Sequence, residues 1–246
     1  MDQDGVFGEE IARTYDARHS GAGDVEVQQA ADRLAALAGG GRALEFAIGT
    51  GRIALPLAAR GTEVAGIELS AAMVARLRGK PGGAAMEVAI GDMTTAEVAG
   101  PFSLVFLVYN TIDNLTTQAA QVACFANAAR HLAPGGRFLV ETAVPPLRQM
   151  VPGQRRIAFA RDDDHWGIDE IDTATQTYSS HHMWLGDGDP QALAVPFRYA
   201  WPAEMDLMAQ MAGMALEHRW EDWTGGAFTD NSTRHISVWR RSGAGR

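Results

Sequence analysis

The sequence predicts an α/β fold whose mostly parallel sheet is covered on both faces, and three observations carry that expectation. Short apolar runs alternate with helical patterns between residues 42 and 143, the rhythm of βαβ units. The runs are continuously apolar, FSLVFLV at 102–108 above all, as strands buried on both faces are. The alternation stops after Pro145-Pro146, and the next fifty or so residues read as strands and turns of an inserted β-rich cap over a ligand cleft.

Taken in order, residues 6–19 have helical spacing, with Phe7, Ile11 and Tyr15 on one face. A break at 21–23 leads to a second helix over 25–37, stopped by Gly39-Gly40-Gly41. Residues 43–47 form the first buried strand, 49–51 a glycine turn and 52–60 a helix. A strand over 62–69, a helix over 71–78 and a strand over 86–90 come next. The strand at 102–108 precedes a helix over 117–131, stopped by Pro134-Gly135-Gly136, and then a strand over 137–142. In the insertion, TQTYSSHHMWL and ALAVPFRYAW flank a GDGDP turn at 186–190 and read as a hairpin. Asp162-Asp163-Asp164 reads as a solvated turn, since consecutive acids do not point the same way. A helix over 202–211 begins with proline, and strands at 216–223 and 235–240 close the chain. Four segments result: 1–41, a core over 42–143, the cap over 144–201, and 202–246 returning to the core.

The chain has 246 residues and a formal net charge of −9. Binding a polyanion needs Lys and Arg to neutralise phosphates, so nucleic acid is not the expected partner. The single cysteine, Cys124, sits in an apolar helical stretch, so no intramolecular disulfide forms and a reducing compartment fits. No run of 18 apolar residues predicts a membrane span, and the acidic N-terminus does not read as a signal peptide. A cytoplasmic protein, monomer or homodimer, is expected.

The informative stretch is ALEFAIGTGRIALPLA at 43–58. A glycine turn between strand and helix lets backbone approach a ligand, and the helix start offers free N–H donors. Gly49-x-Gly51-x-x-Ala54 also matches the dinucleotide fingerprint. Glu45, just ahead of the turn, opposes a pyrophosphate and suits a ligand ammonium. Glu68 ends the second strand, where an acid accepts both hydroxyls of a ribose. After the third strand, Asp92 of Gly91-Asp92-Met93 can accept from an adenine amino group, with Met93 on the ring face. Each has a plainer reading: Glu45 paired to an Arg, Glu68 capping the helix at Ala71, Asp92 capping the segment after it.

Together these motifs resemble the class I S-adenosylmethionine (SAM)-dependent methyltransferase family. Glu45-x-Ala47-x-Gly49-Thr50-Gly51 is similar to its opening motif, with Ala47 in place of the first glycine. Ile-Glu-Leu-Ser at 67–70 with Met73 resembles its ribose motif, Gly91-Asp92-Met93 its adenine motif, and Leu-Ala-Pro-Gly-Gly at 132–136 another common feature. The resemblance implies a Rossmann-like seven-stranded sheet with an antiparallel last strand, and SAM as cofactor. It also implies an N-terminal helical lid whose Tyr15 contacts SAM. The cofactor-binding set is then Tyr15, Glu45, Gly49, Thr50, Gly51, Glu68, Leu69, Met73, Asp92, Met93 and Val108. The layout is similar to antibiotic sugar N,N-dimethyltransferases, which often carry a His soon after the fourth strand; in the matching place, YNTIDNL, stands Asn114.

The expected activity is methyl transfer to an N or O of a small-molecule acceptor. An NAD(P)-dependent oxidoreductase and a non-catalytic SAM-binding protein are the alternatives. On the acceptor side, Asn110, Asn114, Trp184 and Tyr199 are the candidates, with Trp201 as a further aromatic. His181 and His182 are candidate bases; adjacent in a strand they point to opposite faces, so at most one meets the cleft. The plainer reading makes them surface or packing residues, and the aromatics a means of holding the cap together. Arg161, Arg198 and Arg234 are candidates for an anionic acceptor group. No metal is expected.

Overall fold

A computed structural model describes residues 7–18, 23–185 and 190–243. The chain starts with helices α1 (Glu9–Arg18) and α2 (Gly23–Ala38), then alternates β1 (Ala43–Phe46), α3 (Ala54–Ala58), β2 (Val64–Glu68), α4 (Ala71–Arg78) and β3 (Glu87–Ile90). Strand β4 (Phe102–Leu107), helix α5 (Gln118–His131) and strand β5 (Leu132–Ala143) continue it. Four successive strands come next: β6 (Arg156–Arg161), β7 (His165–Asp172), β8 (Thr177–Trp184) and β9 (Gln191–Arg198). Helix α6 (Pro202–Met211) and strands β10 (Met214–Trp220) and β11 (Arg234–Arg241) complete the described chain.

Seven strands form one sheet in the order β10-β11-β5-β4-β1-β2-β3, and β6-β7-β8-β9 form a second. In the large sheet β1, β2, β3, β4 and β5 run parallel, and β11 is antiparallel to both β5 and β10. The alternation of side chains along each strand divides its core into two layers. Leu44, Phe46, Val105 and Leu107 pack with Phe125 of α5 and Met205 of α6. Ala43, Leu104 and Phe106 pack with Leu34 of α2, Leu57 of α3 and Leu77 of α4. Glu45 has the parity of Ala43, and Glu141 that of Leu139, so both carboxylates belong to the second layer, at the C-terminal ends of their strands. Helix α1 stands apart, packing Ala12 with Ile11 and Tyr15 against Ala72 and Met73 of α4.

Several boundaries move. The helix expected over 52–60 shortens to Ala54–Ala58 because Gly51, at φ 79°, carries the turn further and Gly61, at φ 83°, ends it. Strand β5 begins at Leu132, five residues before the expected start. Phe102 already faces Leu132, and Leu104 faces Arg137. The Pro134-Gly135-Gly136 run therefore arches out of an existing ladder; it stops the helix, as expected, but does not precede the strand. The expected hairpin is two strands of a four-stranded antiparallel sheet; β6 and β7 lie in the stretch read as strands and turns, whose charged, irregular patterning gave no bounds for them. Asp162–Asp164 turns the chain between them, with the Asp162 amide on the His165 carbonyl at 2.9 Å. Pro196 lies in β9, an edge strand, where a missing donor costs no ladder bond. Trp223, expected in a strand, leaves the sheet after β10 and is buried against the α2 layer. Val6, His19, Gly21 and residues 186–189 of the GDGDP turn lie outside the described residues. Cys124 is buried in the α5 layer. Among the described residues no helix is long and apolar enough to cross a membrane.

Candidate active site

The C-terminal edge of the parallel strands builds the site. Parallel pairing sets Phe46 beside Ile67 and Glu68 beside Ile90, so β1, β2 and β3 end together. Beyond β1 the chain turns through Ala47, Gly49 and Gly51, at φ 53°, 56° and 79°. At φ 79° a side chain on Gly51 would be strained, and its Cβ would meet Leu77 Cδ1 at 2.4 Å and have to displace it. Ala47 adopts the left-handed conformation that its motif normally gives to glycine, at a cost of about 1 kcal/mol.

Glu68 fastens the turn to β2. Its Oε2 accepts from the Gly49 amide at 2.8 Å and its Oε1 from the Ser70 amide at 2.9 Å. The cap of α4 is Ser70, whose Oγ accepts from Met73 N at 3.1 Å. A carboxylate oxygen has two lone pairs, so each can accept a ligand hydroxyl alongside its amide. At the neighbouring strand end, the Gly91 amide donates to the Glu68 carbonyl. Asp92 is exposed, and its Oδ1 accepts from Thr94 N at 2.7 Å. The turn-capping reading of Asp92 therefore holds, with Oδ2 outside that bond.

Glu45 is only 3% exposed, and its Oε2 has no hydrogen-bond partner. Burial holds its carboxyl well above the usual range, helped by the nearby Glu68 charge and opposed by the Ala54 amide and Arg52. The Arg52 Nε is likewise buried without a partner, and its guanidinium lies 4.3 Å from the Tyr109 ring centre. An unpartnered carboxylate oxygen and an unpartnered guanidinium N–H thus lie at one glycine turn. They flank a cavity of about 60 Å³, also lined by Tyr15, Val108, Tyr109, Thr111, Glu141 and Trp223.

Two successive left-handed residues, Tyr109 (φ 62°) and Asn110 (φ 58°), come directly after β4 and Val108. Such strain persists only when neighbours over-determine it. Glu141 does so, accepting from Tyr109 N through Oε2 at 3.0 Å and from Trp223 Nε1 through Oε1 at 3.1 Å. The Asn110 amide donates to the Glu141 carbonyl, and Asn110 Oδ1 accepts from Ala143 N at 2.7 Å.

Tyr15, Tyr109 and Thr111 also border a second, larger cavity of about 730 Å³ between the two sheets. Its walls are rich in aromatic rings, among them Phe7, Phe159, Tyr178, Trp184 and Phe197, with His165 and His182. His165 Nε2 and His182 Nδ1 are hydrogen-bonded at 2.9 Å, and both rings lie nearly parallel to Trp184. Asp169 supplies a carboxylate whose Oδ1 has no partner, and no Lys or Arg is among the lining residues. A recess of about 230 Å³ adjoins it through Tyr178, Asp169 and Ala143 and is lined by Asp113 and Tyr199.

Among the sequence candidates, Tyr15, Glu45, Gly49, Thr50 and Val108 line the small cavity. The Thr50 hydroxyl donates to Asp16 at 2.6 Å, while Lys80 pairs with Asp16 at 2.7 Å, tying α1 to the turn. Leu69 is half exposed and Met73 buried beneath α1; Gly51, Glu68, Leu69, Met73, Asp92 and Met93 line neither cavity. Asn110, Asn114, His182 and Trp184 line the large cavity. Three candidates do not, and of these Trp201 is exposed and lines neither cavity nor recess. His181 is exposed on the opposite face of β8, as strand alternation requires. Tyr199, past the end of β9, is buried facing the recess. The arginine candidates line neither cavity nor recess: Arg198 is held by Glu204 at 2.7 Å, Arg234 binds Glu26, and Arg161 is exposed. Sequence reasoning missed Arg52, Tyr109, Asp113, Glu141, Asp169 and Tyr178. Arg52 had a local signal, directly after the glycine turn; the others join through the fold alone. Among the described residues no cluster of His, Cys, Asp or Glu is arranged to hold a metal.

Residues 43–136 match the model of a methyltransferase domain. The whole chain is also similar to the CcbJ methyltransferase of Streptomyces caelestis: 33% identity over 99% of this chain and 100% of that one, with a TM-score of 0.85. The chain belongs to the SAM-dependent methyltransferase family. A Clostridium acetobutylicum SAM-dependent methyltransferase shares the fold at 16% identity, covering 95% of this chain and 98% of that one, with a TM-score of 0.76. CalS10, a SAM-bound amino pentose methyltransferase from Micromonospora echinaspora, shares it at 23% identity, covering 95% and 97%, with a TM-score of 0.71. No curated protein matches the chain. Membership decides for methyl transfer over hydride transfer or SAM binding alone. This methyltransferase's open receptors fit the cofactor: Glu45 Oε2 suits an ammonium and Arg52 Nε a carboxylate, and SAM carries both on its methionine end.

Proposed function

We propose that this methyltransferase transfers the methyl group of SAM to the nitrogen of a small amine seated between its two sheets. The observation that carries the reading is the large cavity: aromatic walls, an unpartnered Asp169 oxygen, and no Lys or Arg. Such a lining attracts a cation through carboxylate charge and ring faces, and offers nothing to an anionic acceptor. The printed names of fold neighbours support it: an amino pentose methyltransferase, a sugar N-methyltransferase and a glycopeptide N-methyltransferase.

In this reading Glu45 and Arg52 hold the methionine end over Gly49, Thr50 and Gly51. Glu68 holds the ribose beside Leu69 and Met73, and Asp92 and Met93 hold the adenine. SAM supplies an electrophilic methyl on sulfur. The protein's part is alignment and exclusion of water. Tyr15 and Val108 border the transfer position, residues 1–41 act as the lid, and residues 144–201 form the cap carrying the acceptor. Asn110 and Asn114 face the acceptor from the core, and Trp184 and His182 from the cap. His181, on the outer face, has no role here, and Tyr199 supports the recess instead of touching the acceptor. A base is optional for a neutral amine, which suits a site where His165 and His182 are bonded to each other.

Labelled SAM offered with benzylamine and methyl glucosaminide, each against its hydroxyl counterpart, tests the reading. Label should pass to the amines in preference to benzyl alcohol and methyl glucoside. Transfer confined to the hydroxyl compounds would overturn it.

A further inference from the structure

Asp113 and Tyr178 lie 65 positions apart and meet where the large cavity joins the recess. Asp113 belongs to the turn of 3-10 helix after β4, Thr111–Asn114, and is only 4% exposed. Tyr178 comes from β8 of the second sheet and lines both spaces. The Tyr178 hydroxyl donates to Asp113 Oδ2 at 3.0 Å. The Thr142 hydroxyl, from the end of β5, approaches Asp113 Oδ1 at 3.4 Å. The Tyr178 ring stacks on Phe197 of β9, centroids 5.0 Å apart, which fixes its direction. Other charged groups face the couple from a distance. Asp169 of β7 shares the wall, and Arg198 of β9 acts on Asp113 through space while its own guanidinium is held by Gln121 and Glu204. Arg148 lines the recess but donates to the Ser232 carbonyl, and Tyr199 closes the far side.

We propose that Tyr178 and Asp113 form a proton relay that takes the proton of an ammonium acceptor as its nitrogen is methylated. The inference rests on the amine reading above. A carboxylate buried without a paired cation, absent from the lining of the large cavity and joined to it through the Tyr178 hydroxyl, is placed to receive a proton. The step balances. The acceptor nitrogen loses its proton to the Tyr178 oxygen, and the Tyr178 proton passes to Asp113 Oδ2. The freed lone pair forms the new C–N bond as the C–S bond breaks, its electrons staying on sulfur. The products are the methylated ammonium, S-adenosylhomocysteine and a neutral Asp113, which later returns its proton to solvent through the same hydroxyl. Burial suits Asp113 to this exchange: it raises the carboxyl from 3.8 to about 7, against the Tyr178 and Thr142 hydrogen bonds and Arg198. A base near working pH is the efficient one. The relay also joins the two sheets, so it is complete only when the cap is in place.

The test is the pH profile of kcat and KM for benzylamine methylation by wild type, Tyr178→Phe, Asp113→Asn and His182→Gln. S-adenosylhomocysteine binding confirms that each variant is folded. Wild type should gain activity as pH rises through about 7. Tyr178→Phe and Asp113→Asn should lose that limb, with kcat near neutrality down about 100-fold and KM little changed. Their activity should return at alkaline pH, where the amine is already neutral. Tyr178→Phe keeps the ring and its stack, so it carries the test even if Asp113→Asn fails to fold. Wild-type profiles in both relay variants, or loss of the limb in His182→Gln alone, would overturn the relay and leave the amine reading standing. No methylation of benzylamine or methyl glucosaminide by wild type at any pH would overturn both.

Discussion

Ala47 shows how a single residue reports on the site it belongs to. Its left-handed φ of 53° is one that glycine adopts without cost. Ala47→Gly should therefore stabilise the protein or leave it unchanged, by no more than about 1 kcal/mol, since relief of strain is partly offset by unfolded-chain entropy; denaturant unfolding measures this. Glu45 carries a sharper consequence. Its carboxyl is raised by burial, and a cofactor ammonium favours the ionised form. Affinity for SAM should strengthen as pH rises through the Glu45 range, with protons released on binding. Calorimetry in buffers of different ionisation enthalpy reads that release, and Glu45→Gln should abolish it. At this scale Glu45 and its glycine turn, which line the small cavity, were legible because a strand end and a turn mark them; Glu68 and Asp92 are marked in the same way but line neither cavity. Arg52 was visible but unread. Asp113, Asp169, Glu141 and Tyr178 gave no local sign, since each acquires its role from partners distant in the chain.

The tying of α1 belongs to the scale of elements. The helix is fixed to the glycine turn by Asp16, which accepts from Thr50 and pairs with Lys80, and the residues just before it to the start of α4 by Ser70 Oγ donating to the Phe7 carbonyl at 2.7 Å. These contacts are half-exposed, so they contribute little to global stability. Asp16→Ala should leave the melting temperature nearly unchanged, raise hydrogen exchange in α1, and weaken S-adenosylhomocysteine binding several-fold. Unchanged exchange in α1 would separate the helix from the site. The helices and strands of the parallel core were readable because each is a run of apolar residues between glycine or proline stops. The four-stranded sheet was half readable: β8 and β9 flank a turn-rich stretch, whereas the β6 pattern exposes Arg156 and Arg161 around modest apolar residues. The early start of β5 was not readable, because it is set by Phe102 facing Leu132.

Across the whole molecule, buried ionisable groups push stability in opposite directions with pH. Asp113, raised to about 7, favours the folded state fully below its ordinary 3.8 and loses that contribution as pH rises through about 7. The ceiling for one such displacement is about 4 kcal/mol. Asp113→Asn should remove this slope, so its stability relative to wild type should improve between about pH 4 and pH 8. His235 acts the other way. It is buried with Nε2 unpartnered, and burial lowers its pKa to about 3 from 6.5. Its contribution is present above 6.5 and lost as pH falls through about 3, and His235→Gln should flatten the acid side of the stability curve. Glu45, Glu141 and Asp169 share the upward displacement of Asp113, all of them at the two cavities. Concentration of such groups in one cleft marks a functional site.

In the reading proposed above, adjoining strand ends of the parallel sheet hold one molecule of SAM. Calorimetric titration of S-adenosylhomocysteine into wild type and Glu68→Ala tests it most directly. Loss of a charged acceptor should weaken binding by about 10-fold or more, with the fold intact by circular dichroism; a folded variant that binds as tightly as wild type would contradict the account.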